Sequence, residues 1–326
     1  MSKGVVYVAA GEAYLDLAEQ SVRSLKAENP DIEVDIFTDM PNPSRVFDRV
    51  HPIPPGVTPK LASLPHSRFE RTLYLDCDTL IIAPFGDLFD LLDRFELAVS
   101  HDVRRTSALI REGCDHATPY AFPQMNCGVL LYRRSAATQQ FLADWQTRYA
   151  RAGRKRDQVT FRDLLWESDL RFYVLPPEFN LRRVTVLDAW EPLDARPTIV
   201  HSHRLLQHLR GNPERLNDLA GILAAERVAL AEEWQAVPGC ATVAPGENPA
   251  LRFHVAEAAA AGQAGVVPLR PADSTGFEIA AEAVRDFIRN GIARPSDVAA
   301  AAAPAAHPVP LARAAATRAA ARPTDD

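Results

Sequence analysis

The sequence has no long hydrophobic run. Nothing in it approaches the roughly 18 apolar residues that a bilayer-spanning helix needs, so no transmembrane segment is expected. Residues 1–15 make a poor secretory signal, because their short apolar run is cut by Gly11 and Glu12. The expectation is a cytoplasmic protein. Cysteine is scarce: Cys77, Cys114, Cys127 and Cys240 have no metal-type spacing, which excludes a cysteine-based metal centre and leaves free thiols in a reducing compartment. Lysine is scarce too; Lys3, Lys26, Lys60 and Lys155 are the only ones among 36 basic residues, a skew that goes with the abundant alanine. No charge of one sign dominates. The formal net charge of −6 is spread over both signs and gives no reason to expect a nucleic-acid partner. No internal repeat is visible. What the 326 residues do have is 47% hydrophobic content, enough for a globular chain with one large α/β domain or two small ones.

The first two-thirds of the chain alternates strand-like and helix-like segments. Residues 4–10 (GVVYVAA) are a short apolar run ending in small residues, as in a buried parallel strand. Ala18, Val22 and Leu25 fall at helical spacing within 12–28. Residues 33–38 (EVDIFT) alternate and stop at Asp39, before Pro41 and Pro43, which predicts a strand followed by a loop. A short helix is expected at 60–67, a strand at 72–75, a helix at 86–94 and a strand at 96–100. Residues 102–125 are polar and irregular, the pattern of a loop beside a site. Then come a strand at 128–132 and an amphipathic helix at 135–151 with Phe141, Leu142, Trp145 and Tyr149 on one face. A helix at 157–166 and a strand at 198–200 running into His201 follow. This βαβ order predicts an open, mostly parallel sheet with helices on both faces. The division expected is an α/β domain over 1–205, a mainly helical extension over 206–292 with helices at 214–236 and 277–290, and a disordered Ala/Pro/Arg-rich tail over 293–326.

The sharpest local feature is residues 73–79, LYLDCDT. An apolar strand ends in Asp76 and Asp78, and open α/β sheets bind ligands at the carboxyl ends of their strands. Two neighbouring carboxylates repel unless a proton or cation lies between them. Oxygen ligands suit Mn²⁺ or Mg²⁺, which in turn hold diphosphate oxygens. A D-x-D tripeptide is common by chance, and its plain reading is two solvated acids in a turn; the preceding strand weighs against that. Haloacid dehalogenase-type phosphatases also place D-x-D after a strand, with Thr or Val at the fourth position counted from the first. Here the fourth position after Asp76 is Leu80, Thr79 comes one place early, and Gly86-Asp87 lies too close to supply that family's late acidic motif.

Several segments in order resemble family 8 and related glycosyltransferases of the GT-A fold. The resemblance covers about residues 4–204. Residues 5–25 are similar to that family's opening strand and helix, which implies donor contacts from Ala9 at the strand end and from Tyr14 shortly after it. Lys60 lies where the family has a basic donor-binding residue, and LYLDCDTLI resembles its metal strand. Asn126-Cys127-Gly128 is similar to its N-x-G strand, which touches the donor sugar. Asp157-Gln158 looks like its D-Q pair at the reacting sugar carbon, Phe179-Asn180 like an F-N element, and residues 199–201 like the segment carrying a histidine metal ligand. The resemblance implies a metal-dependent glycosyltransferase that moves a sugar from a nucleotide diphosphate-sugar, by default a UDP-sugar, to a glycan, lipid-linked or protein acceptor, with retention. Asp76, Asp78 and His201 would hold Mn²⁺ or Mg²⁺. The chain departs from the family at Gly11, Glu12 and Ala13, where base-binding acidic and amide residues are usual, and at Val159, where an acid often follows D-Q. It also lacks the H-x-x-G-x-x-K-P-W segment; His203 or Arg204 would replace the diphosphate-binding lysine. These departures keep a second reading in view, a non-catalytic module that binds nucleotide or glycan.

Each singled-out residue also has a plainer reading. Lys60 could be a surface lysine, Asn126 a strand-edge amide bonded to backbone, and His201 a structural histidine. Tyr14 is divided between core packing and stacking on the base. Asp157 could serve its helix as a cap and a favourable charge at the positive end of the dipole.

Overall fold

The computed structural model describes residues 2–235, apart from Asn42, 104–114, 116–117, Tyr120 and Pro192. The helix expected at 277–290, the tail from 293, Cys114, Cys240 and much of the loop 102–125 lie outside the described residues. The elements in chain order are β1 (Lys3–Ala9), α1 (Glu12–Glu28), β2 (Glu33–Thr38), β3 (Arg49–Pro52), α2 (Pro59–Ser63), β4 (Arg71–Leu75), β5 (Thr79–Ile81), β6 (Leu97–His101), β7 (Met125–Arg133), α3 (Ala136–Ala152), α4 (Asp157–Glu167), β8 (Phe172–Val174), β9 (Ile199–His201) and α5 (Leu219–Gln235), with short 3-10 turns between several of them.

Seven strands form one sheet in the order β3-β2-β1-β4-β7-β6-β8. β1 runs parallel to β2 and β4, β2 to β3, and β6 to β8. Only β7 opposes its neighbours, β4 and β6, in the described sheet. The sheet is open and mostly parallel, with helices on both faces, a GT-A-like arrangement. Alternation along the strands divides the core. Val5, Tyr7, Leu73, Leu75, Val129 and Leu131 face α1 and the turn at Leu88–Asp93. Val6, Val8, Tyr74, Leu130 and Tyr132 face α2, α3 and α4. Both faces are buried, which is why β1 reads as a continuous apolar run instead of an alternating one.

The expected α3 forms as its pattern requires. Ser135 accepts a hydrogen bond from the Thr138 N–H at its start. Gly153, with φ of 59°, stops it. Phe141, Leu142 and Trp145 are buried against the sheet, with Tyr149 packed beside them. Three strands escaped the sequence pattern: β3, β5 and β8 are short, and β3 and β8 lie at sheet edges where burial is incomplete. The helix expected from 214 begins at Leu219. Residues ahead of it dock on α1, where Gln20 donates to the Leu216 carbonyl at 2.8 Å, and Asp218 accepts from the Gly221 N–H at 2.8 Å, starting the helix. α5 then packs on the body through Ile222, in a third cluster with Leu80, Leu181, Val184, Val200 and Leu205.

Candidate metal centre

The site begins where β4 stops. After Leu75 the chain turns through Asp76 and Asp78 and enters β5, which pairs antiparallel with β9. The register sets Thr79 opposite His201, and the Ser202 N–H donates to the Asp78 carbonyl at 3.0 Å. This two-stranded ribbon brings His201 to residues more than a hundred positions earlier. His201 Nε2 lies 3.2 Å from Asp78 Oδ1 and 3.6 Å from Asp76 Oδ2. One ligand atom from each of the three residues falls within 4.8 Å of the others. A chain of buried hydroxyls supports the turn from below: Tyr7 to Ser21 at 2.8 Å, Ser21 to Thr79 at 2.7 Å, and Thr79 donating to the Asp76 carbonyl at 2.8 Å.

The donor set, two carboxylates and an imidazole, fits a divalent cation such as Mn²⁺ and is a poorer match to Mg²⁺. His201 Nδ1 is 3.0 Å from Asn180 Oδ1, so the ring is already oriented by its far nitrogen. Burial alone would raise the Asp78 pKa, but the His201 ring, its hydrogen bond and nearby Arg182 hold the carboxyl below the ordinary range. Asp76 accepts from the Tyr74 hydroxyl at 2.6 Å, and its own N–H donates to the Gly128 carbonyl at 2.8 Å.

Gly128 sits in a bulge. Val99 pairs with Leu130 but Ser100 pairs with Asn126, so residues 127–129 of β7 stand out of the β6 ladder. A Cβ on Gly128 would lie 2.0 Å from His201 Cε1 and 2.6 Å from Asp76 Oδ2. The groups pressing on this glycine are therefore those of the cation cluster itself.

Lys60 is no surface lysine. α2 delivers it beneath the site; the Thr58 hydroxyl caps that short helix by accepting from the Leu61 N–H. Lys60 Nζ donates to the Cys127 carbonyl at 2.9 Å, and lies 3.3 Å from Asp157 Oδ2 and 3.7 Å from Asp76 Oδ1. The Tyr74 ring centroid is 4.9 Å away. Burial would lower its pKa, but Asp157 and then Asp76 hold the ammonium charged. Asp157 is the first residue of α4, and the N-cap is Arg156, which makes no side-chain cap bond. The carboxylate keeps its place in the first turn, where negative charge is favoured, but it faces Lys60 instead of capping the helix.

The structure thus gathers Asp76, Asp78, His201, Lys60, Asp157, Asn126 and Gly128. The five other expected residues stand apart from this group. Gln158 accepts from Arg156 at 2.6 Å. Arg204 Nε lies 3.3 Å from Glu226 of α5. His203 is half-buried at the start of the turn His203–Arg210. Tyr14 is 49% exposed on the first turn of α1, which removes the core-packing reading. Ala9 is buried at the carboxyl end of β1. Sequence reasoning missed Tyr74 and Arg182. Tyr74 stands two residues before Asp76 on one strand face, which could have signalled it; Arg182, donating to the His201 carbonyl at 3.1 Å, had no such signal. Cys77 and Cys127 are free and buried, and burial pushes both thiols up, away from reactivity.

No family model matches the sequence, and no curated protein does. Solved structures are similar to it at low identity. The glycosyltransferase GlyE of Streptococcus pneumoniae TIGR4 is 19% identical, with a TM-score of 0.46 over 70% of this chain and 64% of GlyE. The galactosyltransferase LgtC, in complex with donor and acceptor sugar analogs, is 18% identical with a TM-score of 0.43 over 70% of this chain and 94% of LgtC. Mouse xyloside xylosyltransferase 1 is 13% identical with a TM-score of 0.41 over 62% and 97%. The chain spans less than two-thirds of the length of GlyE. Among the described residues, no helix is long and apolar enough to cross a membrane.

Proposed function

We propose that this chain is a metal-dependent glycosyltransferase acting on a nucleotide diphosphate-sugar. The observation that carries the reading is the Asp76, Asp78 and His201 cluster at the end of β4, joined through Lys60 to Asp157. Departure of a nucleoside diphosphate needs positive charge at the phosphates, and the sugar ring left behind needs negative charge nearby. The cluster supplies both signs side by side. Asp76, Asp78 and His201 would hold Mn²⁺ or Mg²⁺, whose chemistry here is to neutralise charge on the diphosphate.

The chain's own groups divide the remaining work. Lys60 is a compact cation for the diphosphate. Arg204 would have to leave Glu226 to assist, so Lys60 is the better choice. Asp157 is the carboxylate for the sugar carbon, with Gln158, Asn126 and Gly128 around the sugar. Ala9 and the exposed Tyr14 ring belong to the nucleotide end. Residues 1–205 would be the catalytic domain, 206–292 a helical extension and 293–326 a tail, with a UDP-sugar as donor and a glycan, lipid-linked or protein acceptor.

The test is a screen of nucleotide-sugars for thermal shift and for slow donor hydrolysis, with and without Mn²⁺. One donor that stabilises the protein and is hydrolysed only with the metal supports the proposal. Metal-dependent binding without any hydrolysis points instead to the non-catalytic module.

A further inference from the structure

We infer that Asn126 and Asn180 are positioning residues that place the proton of the neutral His201 ring on Nδ1, so that Nε2 offers its lone pair to a cation held by Asp76 and Asp78; the Nε2 hydrogen bond to Asp78 belongs to the protonated ring. The inference rests on the cation reading for its purpose, but not for its geometry. The Gly128 backbone N–H can only donate, and the Asn126 side chain lies 3.1 Å from it, so the atom there is Oδ1. Asn180 approaches the same oxygen at 3.1 Å and must present Nδ2. The Asn126 main-chain carbonyl, which can only accept, lies 3.4 Å from that nitrogen and demands the same orientation. The remaining Asn180 atom is then Oδ1, 3.0 Å from His201 Nδ1. An oxygen acceptor there requires the proton on Nδ1.

Two backbone groups of β7 therefore set the amide flips of two side chains and the tautomer of a third. Asn126, Asn180 and His201 are each only 3% exposed, which limits solvent as a source of alternative partners. The bulge at residues 127–129 has a function in this scheme: it turns the Gly128 N–H toward Asn126 and opens room for the His201 ring. Without the relay, a neutral imidazole is free to carry its proton on Nε2, where it blocks the ligand position.

The test reads the tautomer directly. Long-range ¹H–¹⁵N spectra of histidine-labelled, metal-free protein are recorded at a pH where the ring is neutral, and His201 is assigned by its loss in His201→Gln. The wild type should show the Nδ1–H form. Asn180→Leu should shift His201 to Nε2–H or a mixture and weaken Mn²⁺ binding by about 10–100-fold. Asn126→Asp keeps acceptors for both the Gly128 N–H and Asn180, so it should retain Nδ1–H. A wild-type Nε2–H signal overturns the relay, and that result needs no variant to fold. Unchanged Nδ1–H in Asn180→Leu overturns it too. Nδ1–H in a wild type that binds no Mn²⁺ upholds the relay and refutes the cation reading.

Discussion

Replacing Gly128 by Ala tests the site with one methyl group. The backbone there is outside the left-handed region, so the demand for glycine is steric and not conformational. The new Cβ would meet His201 Cε1 at 2.0 Å, whereas carbon atoms rest at about 3.5–4.0 Å. The ring must give way by about 1.5 Å or more, and it has little freedom to do so. Its Nδ1 is bonded to Asn180, the His201 backbone N–H donates to the Leu181 carbonyl at 3.1 Å, and its strand pairs with β5. On the other side Asp76 is tied to Tyr74 and to Gly128 itself. Overpacking of this kind costs about 1–3 kcal/mol. Because a ligand displaced by about 1 Å loses roughly 10²-fold in function, the larger effect should fall on the cation. Gly128→Ala is expected to lose about 1–3 kcal/mol in urea unfolding and at least ~10-fold in Mn²⁺ affinity by calorimetry. Gly153→Ala is the control: its φ of 59° makes the substitution cost roughly 1–2 kcal/mol, with Mn²⁺ affinity unchanged. Wild-type stability and Mn²⁺ affinity in Gly128→Ala would refute the packing argument.

Asp78→Asn should abolish Mn²⁺ binding and metal-dependent donor hydrolysis with the circular dichroism spectrum preserved; full hydrolysis in excess chelator would remove the cation from the mechanism. Asp157→Asn should lower turnover by about 10²-fold, equivalent to about 2.7 kcal/mol, while the melting temperature falls only modestly because Asp76 stays 3.7 Å from Lys60. Turnover close to wild type would take Asp157 out of the site. Glu96 offers a pH test away from the chemistry. Its hydrogen bond to Arg133, working against burial, lowers its pKa from 4.5 to about 2. A depressed folded-state value means stability that is complete above the unfolded pKa and is lost as pH falls from about 4.5 toward 2. Glu96→Gln should therefore show a shallower loss of unfolding free energy across that window, and superimposable acid profiles for the two proteins would contradict the assignment.

Features set by neighbouring residues were legible in the sequence. The strand TLYL announces itself by apolar continuity and by the acids that end it. α3 is visible in the spacing of Phe141, Leu142, Trp145 and Tyr149. Those signals are local because strand and helix periodicity arise within a few residues. Lys60, Asn126, Asp157 and His201 were named through resemblance, residue by residue, but their partnerships were not visible. The β5–β9 register, the reversed direction of β7 and the bulge that frees residues 127–129 join segments far apart in the chain, and no local pattern encodes such pairings. The same limit explains Arg204, assigned to phosphate from its position after His201 yet turned to Glu226 by the packing of α5. The residue types able to bind a cation and the strand end that bears two of them were determined by the sequence alone. Which atom of His201 faces Asp76 and Asp78, and which charge stands against Lys60, were decided by tertiary structure, because hydrogen-bond polarity and ion pairing depend on distances that only the folded chain sets.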